Sequence, residues 1–207
     1  MSTVSTMRRK PLAITIFASL AIGALALAGC TSNTQQSAAP SVTQADKDVF
    51  LSAQNLAGLD ARQIIDKLDT LPVAERPSNL MASVRPDQLI LIDENKQQVA
   101  MQIPEDQFYL SFAPFKTQTH ECHFHSLTTC LGEMQNEEIK VTITDVKTGE
   151  KIIDKTMKTF DNGFVGVWLP RGIDATLNVE QGGKSATSTI STATSEDATC
   201  LTTMQLT

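Results

Sequence analysis

Ile139-Lys140-Val141-Thr142-Ile143-Thr144 alternates apolar and polar side chains over six residues, and its reading decides the fold. Successive side chains on a strand point to opposite faces, so a strict period of two predicts a half-buried strand. Lys147-Thr148-Gly149-Glu150 then reads as a turn, and Lys151 to Phe160 as the returning strand. Downstream, Asp161-Asn162-Gly163 turns into a strand from Phe164 to Leu169. Thr176 to Glu180, the turn Gln181-Gly182-Gly183-Lys184 and Ser185 to Ser191 make a further hairpin, and Thr199 to Leu206 a last strand. Upstream, Phe108 to Phe112 is a strand candidate. Short strands joined by Gly-bearing turns predict an antiparallel, β-sandwich-like domain over residues 105–207.

Residues 44–104 read differently. Asp46 to Leu59 and Asp60 to Leu68 carry helical spacing; Ile64, Ile65 and Leu68 fall on one face, and Asp60 is a candidate N-cap. Pro72 and Pro77 close this stretch. Gln88 to Ile92 reads as a strand, Asp93-Glu94-Asn95-Lys96 as a turn, and Gln98 to Ile103 as the return, with Val99, Met101 and Ile103 on one face. The fold class is therefore α+β: a small N-terminal α+β domain followed by a β domain.

The N-terminus reads as an address. Met7-Arg8-Arg9-Lys10 is a cationic start, and Leu12 to Leu27 is an uncharged apolar stretch of signal-peptide length. It ends in Leu27-Ala28-Gly29-Cys30, which resembles a bacterial lipobox. Residues 1–29 are then a lipoprotein signal peptide, Cys30 is the lipidated residue, and the chain is exported and membrane-anchored. Residues 30–43, rich in Ser, Thr, Gln and Ala, read as a flexible tether.

The chain has 17 Lys and Arg against 23 Asp and Glu, a formal charge of −6. Cleavage before Cys30 would remove Arg8, Arg9 and Lys10 and no acid. Such a chain lacks the basic clusters that phosphate contacts demand, so a nucleic-acid partner is excluded. At 41% hydrophobic, it has the apolar material for a packed core.

The chemistry is concentrated in His120-Glu121-Cys122-His123-Phe124-His125-Ser126-Leu127-Thr128-Thr129-Cys130. It holds all three histidines, and two of the three cysteines that remain beside Cys30; the third is Cys200. Thiolates favour Cu(I) and Zn(II), and imidazole serves zinc and copper alike. A continuous helix cannot bring Cys122 and Cys130 to one ion, because eight residues rise about 12 Å. A loop or hairpin can, and Cys200 completes a three-sulfur site if its strand lies beside the loop. Trigonal sulfur suits Cu(I). Zinc would take a fourth donor from His123 or His125. Alternatively, Cys122 and Cys130 form a structural disulfide in an oxidising compartment. Three such cysteines are an odd number, which leaves one thiol over. Phe124 reads as a core plug and Glu121 as a surface charge, while Lys116 and Lys140 flank the loop as candidates for lowering a thiol pKa.

Phe112-Ala113-Pro114-Phe115, the core Cys122-His123-Phe124-His125-Ser126-Leu127-Thr128-Thr129-Cys130, the strand Gly163-Phe164-Val165-Gly166-Val167-Trp168-Leu169-Pro170 and Cys200-Leu201-Thr202-Thr203 together resemble the CueP family of exported copper-binding proteins. The resemblance spans roughly residues 45–207. It implies Cu(I) held by Cys122, Cys130 and Cys200, a role in copper tolerance, delivery to an exported superoxide dismutase, and reduction of Cu(II) to Cu(I) with the cysteines as donors. It also implies a homodimer joined through the N-terminal domain. A cysteine pair oxidised in this way requires a thiol-disulfide reductase as partner. His120 and His123 fall outside the family's site as the resemblance gives it, so they are auxiliary metal candidates with His125. Three other classes remain: a thiol-disulfide oxidoreductase or isomerase, which the missing Cys-x-x-Cys weakens, a structural β-sandwich lipoprotein, and a zinc carrier. The chain is not expected to be an enzyme beyond stoichiometric Cu(II) reduction.

Overall fold

A computed structural model describes residues 43–207. The expected signal peptide, Cys30 and all but the last residue of the tether lie outside the described residues. Among the described residues no helix is long and apolar enough to cross a membrane.

Helices α1 (Gln44–Ala53) and α2 (Ala61–Asp69) both start with capping boxes. Thr43 accepts from the Asp46 amide in the first and Asp60 from the Gln63 amide in the second, each reciprocated. The expected helix from Asp46 to Leu59 stops early. Asn55 takes a positive φ of 57°, and the Leu56 amide returns to the Leu51 carbonyl at 2.8 Å, which folds Leu56 into the core. Helix α2 buries Ala61, Ile64, Ile65, Leu68 and, at its end, Asp69.

A three-stranded antiparallel meander follows: β1 (Leu80–Val84), β2 (Gln88–Asp93) and β3 (Gln98–Gln102). Leu80, Ala82, Val84, Leu89, Leu91, Val99 and Met101 face α1 and α2 in one core. Strand β1 is short and contains Ala82 and Ser83 between Pro77 and Pro86, so its sequence carries little β signal.

The remaining strands are β4 (Gln107–Phe115), β5 (Glu138–Asp145), β6 (Lys151–Lys158), β7 (Val165–Pro170), β8 (Asp174–Gln181), β9 (Lys184–Ser191) and β10 (Cys200–Gln205). They form a β10-β4-β7 sheet and a β6-β5-β8-β9 sheet. Phe108, Leu110, Phe112, Val165, Val167, Leu169 and Met204 of the first share a core with Ile139, Val141, Ile143, Ala175, Leu177 and Val179 of the second, as in a sandwich. One pairing departs from the antiparallel expectation: β10 runs parallel to β4, with Cys200 opposite Ser111.

Strand β4 positions the site. It is buried on both faces, which reads as a continuous apolar run rather than an alternation. Phe108, Leu110 and Phe112 enter the sandwich core, whereas Tyr109 joins the helical core and Ala113 packs beside Cys130, Phe164 and Cys200.

Candidate metal centre

The loop between β4 and β5 carries Cys122, Cys130 and all three histidines. It is fastened on two sides. The Val84 amide donates to the His125 carbonyl at 2.8 Å, and the Leu127 amide to the Ala82 carbonyl at 2.9 Å, so the loop extends the β1 edge. On the other side the Thr199 and Cys200 amides donate to the His123 carbonyl at 3.0 and 3.1 Å. The Thr199 hydroxyl accepts the His125 amide at 3.0 Å and donates to the Val84 carbonyl at 2.7 Å. Leu127, fully buried in the helical core, anchors the loop through its side chain. His125 is thereby trapped between the β1 edge and the start of β10.

The sulfurs converge. Cys122 Sγ lies 3.6 Å from Cys130 Sγ, and Cys200 Sγ lies 3.7 Å from His125 Nδ1. All three thiols are free. His120, Cys122 and Cys130 offer donor atoms within 4.8 Å of one another, and so do His125, Cys130 and Cys200. With metal–sulfur and metal–nitrogen bonds of about 2.3 and 2.0 Å, a trigonal centre puts S and N about 3.7 Å apart. The second group already has that spacing for Cys200 and His125.

Behind His125 sits a buried acid. His125 Nε2 donates to Asp69 Oδ1 at 2.9 Å, and Asn162 Nδ2 donates to the same oxygen at 2.9 Å. Tyr109 and Ser111 hydroxyls donate to Oδ2 at 2.6 and 3.3 Å. The carboxylate is satisfied by four donors, which is what a buried charge requires. Burial alone would raise the Asp69 pKa, but the His125 charge and these hydrogen bonds hold it below the ordinary value. For His125, burial opposes protonation, yet the Asp69 carboxylate prevails and its pKa stands well above the ordinary value. Nε2–H is committed to Asp69, so Nδ1 is the atom turned toward sulfur, and a metal there replaces a proton.

Cys130 is held below the ordinary thiol value. The Cys122 and then the Cys200 thiol hydrogen-bond to it, and His125 adds to the shift, against the effect of burial. The same contacts with Cys122 and Cys130, together with burial, push Cys200 the other way. Ser126 N–H also donates to Cys130 Sγ at 3.4 Å. Arg76 donates to the Cys130 carbonyl at 2.8 Å, and its buried Nε and Nη2 have no hydrogen-bond partner among the described residues. This guanidinium is the cation beside Cys130. Lys116 and Lys140 instead pair with Glu137 and Asp154.

Cys122, Cys130, Cys200, His120 and His125 are brought together as donors. His123 is in neither group; its Nε2 lies 3.0 Å from the Glu196 carbonyl oxygen. Phe124 is not a core plug: it is half-buried, with the Arg85 guanidinium 4.0 Å from its ring centroid. The aromatic at the centre is Phe164, fully buried, with its centroid 4.7 Å from that of His125 and 6.1 Å from that of His120. Sequence reasoning missed Asp69, Tyr109, Ser111, Asn162 and Arg76. One signal existed: Asp69 lies four residues after Ile65, on the apolar face of α2.

The model of the family described as periplasmic copper-binding protein CueP matches residues 63–205. The chain belongs to the CueP family. The crystal structure of S.CueP is 40% identical, with a TM-score of 0.72 over 78% of this chain and 97% of that one. No curated protein is significantly similar. CueP membership makes the chain a copper-binding protein that works outside the cytoplasm, and the Cys/His cluster is a donor set suited to a soft metal.

Proposed function

We propose that the chain captures Cu(I) through Cys122, Cys130 and Cys200, with His125 as the nitrogen donor of the inner group and His120 beside the outer pair. The observation that carries this is the meeting of Cys200, from β10, with Cys130 and His125 from a distant loop. Sulfur donors hold copper in the reduced state and suppress further redox cycling.

The same site reduces Cu(II). Cys122 and Cys130, with sulfurs 3.6 Å apart, are the electron donors. Each sulfur gives one electron, one S–S bond forms, two Cu(II) become two Cu(I), and the thiol protons pass to water. A thiol-disulfide reductase then restores the pair. Copper tolerance follows from capture, and delivery to an exported superoxide dismutase from ligand exchange at the outer edge. In this reading the chain is held at the membrane by lipid on Cys30 and pairs as a homodimer through residues 44–104.

Peptide mapping after adding Cu(II) to the reduced protein tests the redox step. A Cys122–Cys130 disulfide with Cys200 still alkylatable is expected; three unmodified thiols would refute it. The close Cys122–Cys130 pair also favours a second reading, thiol-disulfide exchange with protein substrates. Insulin reduction by the metal-free protein would support that reading, and no turnover would dismiss it.

A further inference from the structure

The donor set contains more than one ion requires. Two nitrogens and three sulfurs fall into two triads, His120–Cys122–Cys130 and His125–Cys130–Cys200, and only Cys130 is in both. We infer that the centre holds two Cu(I) ions bridged by the Cys130 sulfur, an inner ion on His125 and Cys200 and an outer ion on His120 and Cys122. This rests on the Cu(I)-capture reading above and deepens it by assigning each donor to one of two stations.

Three features carry the assignment. The first is spacing. Each triad has all its donor atoms within 4.8 Å, the span that one soft ion can draw together. The second is exposure. His125, Cys130 and Cys200 are all buried, whereas Cys122 is only partly so, and His120 lines a surface cavity with Gln118, Thr119, Leu131, Gly132 and Glu133. One station is therefore sealed and the other faces solvent. The third is orientation. His125 is fixed from behind by Asp69 and covered by Phe164. Among the described residues no buried acid hydrogen-bonds the His120 ring; its neighbour Thr119 is tied to the Thr202 carbonyl at 2.5 Å.

A thiolate sulfur has lone pairs enough to bridge two soft cations. With three thiolates and two Cu(I), the cluster carries one net negative charge, and binding releases the thiol protons to solvent without any change of oxidation state. The shared sulfur gives a route inward: an ion received at His120 and Cys122 can exchange those donors for Cys200 and His125 without leaving Cys130. The inner station fills first and retains its ion, and the outer one loads and unloads.

The experiment is an anaerobic Cu(I) titration of the reduced full chain against a chromophoric Cu(I) chelator, with copper X-ray absorption at each equivalence point. Two equivalents per chain are expected, the second weaker, with copper–copper backscatter only after the second. His120→Ala should lose the second equivalent and keep the first within about tenfold, while Cys130→Ser should lose both. Circular dichroism checks that each variant is folded. A single equivalent in the wild type, two equivalents in His120→Ala, or no copper–copper backscatter at saturation would each overturn the bridged pair while leaving Cu(I) capture standing. No bound Cu(I) at all would overturn both.

Discussion

His125 Nε2 donates to Asp69 Oδ1 at 2.9 Å, and neither side chain has any solvent exposure. This one contact joins the end of α2 to the metal loop. It fixes the imidazole so that Nδ1, not Nε2, meets the sulfur of Cys200.

Asp69→Asn should therefore weaken Cu(I) binding although it removes no donor atom. Loss of such an outer partner typically costs about 10–100-fold in metal affinity. The metal-free protein should also lose about 3 kcal/mol, because a buried imidazolium is left without its counter-charge. Chelator competition and urea denaturation measure the two effects separately. Unchanged affinity would show that His125 does not depend on Asp69 for its orientation.

Gly166 on β7 faces the same acid. A Cβ there would overlap the Tyr109 hydroxyl and come within 3.0 Å of Asp69 Oδ2. Gly166→Ala should destabilise the fold by about 1–3 kcal/mol, the usual cost of overpacking. Tyr109→Phe in the same chain should not restore stability, since the ring Cζ stays 2.5 Å from that Cβ and the buried Asp69 Oδ2 loses its Tyr109 donor. Thermal unfolding of the single and double variants tests the coupling.

Glu133 governs the segment that leads into the loop. Its carboxylate accepts the Thr117 hydroxyl at 2.6 Å and the Thr117, Lys116 and Gln118 amides at 2.9, 2.6 and 3.3 Å. These bonds, the Thr117 hydroxyl foremost, lower its pKa from 4.5 to about 2. A depressed carboxylate pKa stabilises the fold above the unfolded value, and that contribution is lost as pH falls from 4.5 toward 2. Amide exchange at Lys116, Thr117 and Gln118 should quicken across that window beyond its intrinsic pH dependence. Glu133→Gln should show the quickening already at neutral pH.

The period of two from Ile139 to Thr144 was enough to find β5, and the Gly-bearing turns around it gave the hairpins β5-β6 and β8-β9. Asp60 capped α2 as its position implied. The sequence was silent where structure depends on distant partners. Leu80 to Val84 becomes a strand because β2 pairs along it and the metal loop bridges to it at Ser83, neither of which a five-residue window contains. The parallel β10-β4 pairing is equally non-local. At the site, the clustering of Cys122, Cys130 and the histidines was visible in the chain. The groups that orient them were not, because Asp69, Tyr109 with Ser111, and Asn162 come from three separate segments. An aspartate on a helix, a tyrosine on a strand and an asparagine in a turn each have an ordinary local reason to be there.

Cu(I) capture depends on Cys200 acting with the loop. Its most direct test is the Cu(I) affinity of Cys200→Ser in the reduced protein, measured by chelator competition beside the wild type. Loss of a directly bonded sulfur should exceed the ~10–100-fold cost of removing an outer partner, with copper X-ray absorption showing fewer sulfur neighbours. An affinity equal to the wild type's, with an unchanged sulfur shell, would contradict the account.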